Sequence, residues 1–422
     1  MIPLSLDEIE ALCRGRLDRA VWADEATGVQ IDSRRIAEGD LFVGIGDGAD
    51  YLPHAVARGA AAVLIPDEPF AALASLGSAV RARSTATVVG ITGSTGKTST
   101  KDILAALCTP HAKVVAAEEG HNNEIGLPLT LTRIEEDTEI VVCEMGMRGL
   151  GQIAELCAVA RPAIGVITGV GPVHLELLGT VERVAEAKAE VVAALPDGGT
   201  AVVPDEPLLE PYLNRDDVDV RRFRPDDVLA FEPTAHGSRA RLRVGEGELE
   251  LEFPFTARYQ ALNALAALHA YEALGLPLDR AQDGAGQVTL SRWRGEEVEL
   301  PSGGLLINDA YNANPVSMKA ALAHLNERAD GRRRVAILGD MAELGERAAE
   351  LHAEVGRAAD VDVLLAVGPL AREYGGAHWV ETVDEALAMV DEIVRPGDAV
   401  LVKASRAVGL ERVADALQGA RV

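Results

Sequence analysis

Residues 88–100 read VVGITGSTGKTST, and the fold turns on them. Thr87, Val88, Val89 and Ile91 form a β-branched run that predicts a buried strand. The run breaks at Gly93-Ser94-Thr95-Gly96, and Lys97-Thr98-Ser99-Thr100 opens a predicted helix ending near Leu107. A glycine-rich turn between strand and helix leaves backbone N–H groups converging at the positive end of the helix dipole. Lys97 adds a point charge for terminal phosphates, and the Thr98 hydroxyl is of the kind that ligates Mg²⁺. The full P-loop spacing has a glycine where Ile91 stands, so this is the shorter form G-S-T-G-K-T. A bland loop before a helix is the competing reading. Strand, loop, Lys-Thr and helix in that order favour a nucleoside triphosphate.

The chain has 422 residues, 48% of them hydrophobic, enough for two or three domains with their own cores. Its 40 basic and 66 acidic residues give a net charge of −26, which argues against a nucleic-acid partner. The four cysteines, Cys13, Cys108, Cys143 and Cys157, show no C-x-x-C pairing. Cys143 and Cys157 sit in apolar runs and read as small core residues. The N-terminus, MIPLSLDEIEALCRG, reads as a short amphipathic helix rather than a signal peptide, and no apolar run reaches membrane-spanning length. A cytoplasmic protein without membrane insertion is expected.

Outward from the P-loop, the pattern is α/β throughout. Residues 1–83 predict a small α/β domain with strands at Val29–Ile31, Asp40–Val43 and Ala60–Ile65 and a helix through His54 to Arg58. Asp32-Ser33-Arg34 follows the first of these strands and could bind a substrate. On that trio alone, a surface turn with a local ion pair is the better reading. Arg81 to Ala86 reads as a linker. From residue 84 to 290, strands alternate with helices as in a doubly wound parallel sheet. Glu144 ends the strand EIVVCEM, and His174 follows the strand AIGVITGV. Ligands of open parallel sheets sit at the carboxyl ends of strands, so the P-loop, Glu144 and His174 should share one edge. Alone, Glu144 could cap a helix and His174 could be a core residue; beside a P-loop, a magnesium role suits Glu144.

In the predicted helix after Thr180, Val181, Val184, Lys188, Val191, Val192 and Leu195 share one face. Lys188 therefore interrupts an apolar stripe. A buried lysine has a depressed pKa, and an uncharged amine can take up CO₂ as a carbamate able to face Mg²⁺. A lysine snorkelling to the surface is the alternative, and spacing leaves the two open. Residues from about 230 to 255 read as a hairpin, and Ala261 to Leu274 as an alanine-rich helix carrying Asn263. Residues 291–422 predict a second parallel α/β domain of dinucleotide-fold type. Its strands fall at Leu305–Ile307, Val335–Leu338, Val363–Val367 and Ala399–Val402, with helices from about 315, 346, 383 and 407.

G-S-T-G-K-T at 93–98, N-N-E-I-G-L-P at 122–128, E-M-G-M-R-G at 144–149, and H-L-E-L-L-G-T-V-E at 174–182 leading to A-K-A-E at 187–190 together resemble the ATP-dependent Mur ligases of peptidoglycan synthesis. N-D-A-Y-N-A-N-P-V-S-M at 308–318 and L-G-D-M-A-E-L-G at 338–345 look like the branch that adds D-alanyl-D-alanine. The resemblance implies three domains: residues 1–83 for the UDP-sugar, 84–290 for ATP, and 291–422 for the incoming dipeptide. It implies UDP-N-acetylmuramoyl-tripeptide and D-alanyl-D-alanine as substrates, joined through an acyl phosphate, and a monomer is expected. Gly93, Ser94, Thr95, Gly96, Lys97, Thr98 and Ser99 would hold the nucleotide, with Asn263, Arg294, Asp309, Tyr311 and Asn312 contacting it across the domain junction. Thr98 and Glu144 would hold one Mg²⁺, and His174 with carbamoylated Lys188 a second. Asp32, Ser33, Arg34, Asn122 and Asn123 match segments near the UDP-sugar. The chain departs from the family's pattern at Tyr259-Gln260, Pro204 and Ala49. A paralogue joining another amine to another carboxylate, like the folylpolyglutamate synthetases, is the alternative. A catalytically silent nucleotide-binding partner is disfavoured, because Lys97, Thr98, Glu144, His174 and Lys188 are all present.

Overall fold

The structure, a computed structural model, describes residues 1–234 and 236–419; Ala235, within the predicted hairpin, and residues 420–422 of the third region lie outside that description. Three α/β layers follow one another along the chain, each built on its own sheet. The first has strands in the order Gly15–Arg19, Ala62–Pro66, Asp40–Val43, Gly28–Gln30, parallel except for the outermost Gly15–Arg19. Its N-terminal helix runs Leu6–Leu12, with the Ser5 hydroxyl accepting from the Glu8 N–H as the cap.

The segment read as a linker is different. A helix spans Pro69–Arg83, so Arg81 to Arg83 are its last turn and only Ser84 to Ala86 connect to the next strand. Arginine is a good helix former. Arg81 also has a tertiary partner, its Nε donating to the Ala160 carbonyl at 2.9 Å. Polarity alone misread it.

The central sheet is wholly parallel, in the order Asp219–Phe223, Thr200–Pro204, Ile164–Ile167, Thr87–Thr92, Ile140–Glu144, Val114–Ala116. Strand Thr87–Thr92 therefore lies between Ile140–Glu144 and Ile164–Ile167, where the winding reverses, and crevices for ligands open at such switch points. Residues from about 230 to 255 are not a hairpin but a three-stranded antiparallel sheet, Val228–Thr234, Gly237–Val244 and Gly247–Phe253. The middle strand buries Ala240, Leu242 and Val244 in the cluster that also holds Tyr271 and Leu104, which gives the extra strand its partner.

The third sheet has the order Glu296–Glu299, Leu305–Asn308, Ala399–Lys403, Arg334–Gly339, Val363–Val367, His378–Val380. All its pairs are parallel except the edge strand Glu296–Glu299, which runs antiparallel to Leu305–Asn308. Strand Ala399–Lys403 inserts between two earlier strands, so three neighbouring carboxyl ends present the loops after Asn308, Gly339 and Lys403. Helices follow at Pro315–Arg328, Ala348–Ala358, Val383–Ile393 and Glu411–Leu417. Among the described residues, no helix is long and apolar enough to cross a membrane.

Candidate active site

The strand Thr87–Thr92 passes through Gly93 into the helix Lys97–Cys108. Gly96, with φ 78°, caps that helix, and a Cβ there would stand 2.1 Å from Asn263 Oδ1. Both the left-handed turn and the close approach of Asn263 require glycine. At Gly93 a Cβ would meet Thr168 Oγ1 at 1.9 Å. The loop is thus pressed between the next strand and the helix Tyr259–Ala273 that carries Asn263. Asn263 is itself oriented by donating to Gln260 Oε1 at 2.7 Å.

Lys97 Nζ donates to the Gly93 carbonyl at 2.7 Å, inside the loop. Burial lowers its pKa, opposed by the charge of Glu144. The Thr98 hydroxyl donates to Glu144 Oε2 at 2.7 Å, and Asn122 Nδ2 donates to Glu144 Oε1 at 2.9 Å. Burial would raise the Glu144 pKa, but Lys97, Asn122 and Thr98 outweigh it and hold the carboxylate ionised. Ser94 pins the loop after the adjacent strand: its Oγ accepts from the Gly171 N–H at 2.9 Å, and its N–H donates to the Gly169 carbonyl at 2.8 Å.

Lys188 lies on the helix Val181–Ala193 with 1% of its surface exposed. No carboxylate pairs with it among the described ion pairs. Burial first, and then the charge of Lys97, depress its pKa well below the ordinary lysine value. The snorkelling alternative fails here, because the side chain does not reach the surface.

His174 has φ 54° and Glu343, from the third region, φ 64°; both are in the left-handed region that side chains seldom adopt. His174 Nδ1 is in close contact with the Glu343 carboxylate, off the line of a hydrogen bond. Arg148 Nε lies 3.5 Å from the other Glu343 oxygen. Around the corner, the Arg294 guanidinium covers the Tyr311 ring at 4.0 Å, and Lys403 Nζ bonds Asp309 Oδ2 at 2.6 Å and the Asn312 carbonyl at 2.8 Å. Lys403 is buried, so its pairing with Asp309 fixes the loop that carries Tyr311 and Asn312.

A cavity of about 880 Å³ opens between these regions. Ser94, Lys97, Asn122, Asn123, His174, Tyr311 and Asn312 line it, together with Arg148 and Glu343, which lie within the motifs above without a role of their own, and Ser405 and Arg406, for which the sequence carries no assigned role. Gly93, Thr95, Gly96, Thr98, Ser99, Glu144, Lys188, Asn263, Arg294 and Asp309 are not among its lining residues. Asp32, Ser33 and Arg34 do not line it. They form a 3-10 turn in which Arg34 clasps Asp32 at 2.7 Å, holding that carboxyl at about 2, while Ser33 Oγ meets His54 Nδ1 at 2.9 Å. Arg35 ties this turn to the segment before Asn122 through Glu118, at 2.9 Å.

Against known proteins, residues 91–271 match the Mur ligase middle domain and residues 293–406 the Mur ligase, glutamate ligase domain. The UDP-N-acetylmuramoyl-tripeptide–D-alanyl-D-alanine ligase of Mycobacterium tuberculosis is 35% identical, over 99% of this chain and 98% of that protein. A crystal structure of MurF from Acinetobacter baumannii superposes with a TM-score of 0.86 at 25% identity, covering 99% of each chain. MurF ligase from Thermotoga maritima in complex with ADP superposes with a TM-score of 0.81 at 28% identity, covering 93% of this chain and 97% of that one. With relatives of this kind matched almost end to end, the chain belongs to the Mur ligase family, within its UDP-N-acetylmuramoyl-tripeptide–D-alanyl-D-alanine ligases.

Proposed function

We propose that the protein uses ATP to join D-alanyl-D-alanine to UDP-N-acetylmuramoyl-tripeptide, giving the pentapeptide precursor of peptidoglycan, ADP and phosphate. The observation that carries this reading is the shared cavity: P-loop residues Ser94 and Lys97 face Asn312, Glu343 and Ser405 of the third region across it. A carboxylate is a poor acylating agent for an amine. Attack of a tripeptide carboxylate oxygen on the γ-phosphorus expels ADP and leaves an acyl phosphate. The dipeptide nitrogen then attacks the acyl carbon, loses a proton, and phosphate departs as the amide forms. Both steps depend on positioning and charge neutralisation more than on covalent help from the protein.

In this scheme residues 84–290 bind ATP, residues 291–422 bring the dipeptide, and residues 1–83 take the UDP end, with Asp32 to Arg34, Asn122 and Asn123 towards the sugar nucleotide. The backbone N–H groups of Gly93 to Ser99 and the Lys97 ammonium cradle the phosphates, with Asn263, Arg294, Asp309, Tyr311 and Asn312 around the nucleotide. One chain supplies every group used, so a monomer suffices.

The residues present fit Mg²⁺. Thr98 and Glu144 are hard oxygen donors side by side at a helix N-terminus. Among the described residues no three or more His, Cys, Asp or Glu side chains group as metal ligands, as suits an ion completed by phosphate oxygens and water. When bound, Mg²⁺ neutralises charge on the transferred phosphoryl group. His174 and Lys188 would serve a second ion. The buried Lys188 amine, without a carboxylate partner among the described residues, supports carbamate formation: its nitrogen bonds to the carbon of CO₂ and releases a proton.

The test is phosphate release with ATP, Mg²⁺ and the UDP-linked tripeptide, with and without D-alanyl-D-alanine, followed by product mass. Release that requires the dipeptide, with the pentapeptide mass, is expected. No release with a tripeptide ending in either meso-diaminopimelate or lysine would overturn the reading. For the carbamate, Lys188→Ala is expected to lose activity and regain part of it with added formate or acetate; full activity without rescue would refute it.

A further inference from the structure

The loop Asp340–Gly345 leaves the third sheet and docks on the turn that carries His174. The Glu176 N–H donates to the Glu343 carbonyl at 3.3 Å. Gly345, with φ 59°, allows the approach, since a Cβ there would stand 3.0 Å from the Glu176 Cα. From its own side the loop is held firmly: the Ala342 N–H donates to Ser405 Oγ at 2.9 Å and the Met341 N–H to His352 Nε2 at 2.9 Å. Two side chains in left-handed backbone thus face each other across the boundary between the central and third regions, each fixed by its own region. Such strain persists only where the surroundings over-determine it, and it gathers at functional sites.

We infer that Glu343 is a positioning residue, whose carboxylate fixes the His174 ring when the third region closes on the P-loop region. The inference rests on the role given to His174 above. Of the two neutral imidazole tautomers, a carboxylate against Nδ1 favours the one with its proton there, because a lone pair at Nδ1 would face negative charge. Nε2 then keeps its lone pair for an electrophile in the cavity. Arg148, 3.5 Å from the other carboxylate oxygen, steadies Glu343 from the central region. The ring would therefore be set only when both regions meet, which ties competence of the site to closure.

The experiment reads the ring directly in full-length protein labelled with ¹⁵N-histidine. Long-range ¹H–¹⁵N correlations distinguish the tautomers, and the His174 signal among nine histidines is the one lost in His174→Gln. The Nδ1–H pattern is expected, moving towards Nε2–H in Glu343→Asn, since asparagine tolerates the left-handed backbone but is too short to reach. In turnover, Glu343→Asn should lower kcat by about 10–100-fold with the dipeptide KM within about two-fold. Glu343→Gln should recover part of the loss, because its amide oxygen has the reach to stand against Nδ1–H as the carboxylate does. An Nε2–H ring in the wild type would overturn the inference. So would a raised dipeptide KM at unchanged kcat, which would make Glu343 an ammonium anchor instead. Should Glu343→Asn fold poorly, Glu343→Gly suits the same φ and takes its place. The tautomer pattern needs no substrate, so a failed ligase assay and a failed positioning contact give different results.

Discussion

Two carboxylates join the central and third regions, each beside a histidine and an arginine, and they are built in opposite ways. Glu297, 14% exposed, accepts from Thr256 Oγ1 at 2.5 Å and from Arg328 Nε and Nη2 at 2.9 Å each, with His324 Nε2 at 2.9 Å. Burial alone would raise its pKa, but these neighbours outweigh it and hold the carboxyl at about 2. Glu343, 39% exposed, meets His174 and Arg148 without one aligned side-chain hydrogen bond among the described residues, on strained backbone. The same three residue types make a joint in one place and part of the cavity wall in the other. What differs is saturation: a buried carboxylate with its donors satisfied fixes geometry, whereas one left under-bonded keeps capacity for a ligand or a movement. Stability at this boundary is therefore concentrated away from the chemistry.

The sharpest way to break that contrast is Lys188→Met. If groups proposed for the reaction are held against stability, removing one should stabilise the fold while destroying the reaction. Lys188 ionises at an ordinary 10.5 when unfolded and well below that when folded. Across that window the unfolded chain binds the extra proton, so stability climbs with pH and the penalty is present near neutrality. Turnover is expected to fall at least 10²-fold or so, about the loss of one electrostatic group. In carbonate-free buffer the melting temperature should rise by about 2 °C or more. A lower melting temperature would mean that the buried amine is stabilised by its surroundings, and the contrast would fail.

Glu297→Gln probes the other side. Losing a paired buried charge beside Arg328 should cost about 3 kcal/mol, read as a lower urea midpoint by tryptophan emission. The folded fraction should keep kcat within a few-fold. A large loss of rate at unchanged midpoint would place Glu297 in the site rather than the joint.

The sequence made the joint invisible and the site half visible, for physical reasons. The P-loop reads directly because its chemistry is local: Gly93, Gly96, Lys97 and Thr98 lie within six residues, and the structure adds why glycine is needed at 93 and 96. Lys188 reads as a candidate because helical spacing places it on an apolar stripe; spacing leaves burial and snorkelling open, and the structure buries the side chain. Glu343 lies inside the motif at 338–345 without a role that sequence can assign, since its partner His174 belongs to another region and no periodicity links them. Asn122 was assigned towards the sugar nucleotide, yet its amide donates to Glu144, a contact that only the sheet order creates. Glu297, His324 and Arg328 had no signal: they come from an antiparallel edge strand and a helix whose pairing is tertiary. Arg81 to Arg83 mislead because polarity reads as a linker, whereas the helix runs on through Arg83 and Arg81 reaches inward to the Ala160 carbonyl.

The smallest effect is the most discriminating, because it separates a charge-dependent joint from ordinary packing. Thr256→Val removes one of three donors to Glu297 and leaves Arg328 in place. A hydrogen bond to a charged group contributes about 1.5 kcal/mol, so a loss of that order is expected at pH 7. Glu297 is a carboxyl whose folded pKa lies below its ordinary 4.5, at about 2. Its contribution is therefore complete above 4.5 and is lost as pH falls from there towards 2. The unfolded chain titrates alike in both, so the stability difference between wild type and Thr256→Val should hold until the pH reaches the variant's own folded pKa, above that of the wild type, and shrink from there towards 2, because protonating Glu297 removes the charge that the hydroxyl serves. A difference that stays constant from pH 7 down to pH 2 would show that the hydroxyl acts only through packing. The Glu297 junction would then be a well-filled contact surface rather than an ionic joint, and its opposition to the strained His174–Glu343 pair would reduce to burial alone.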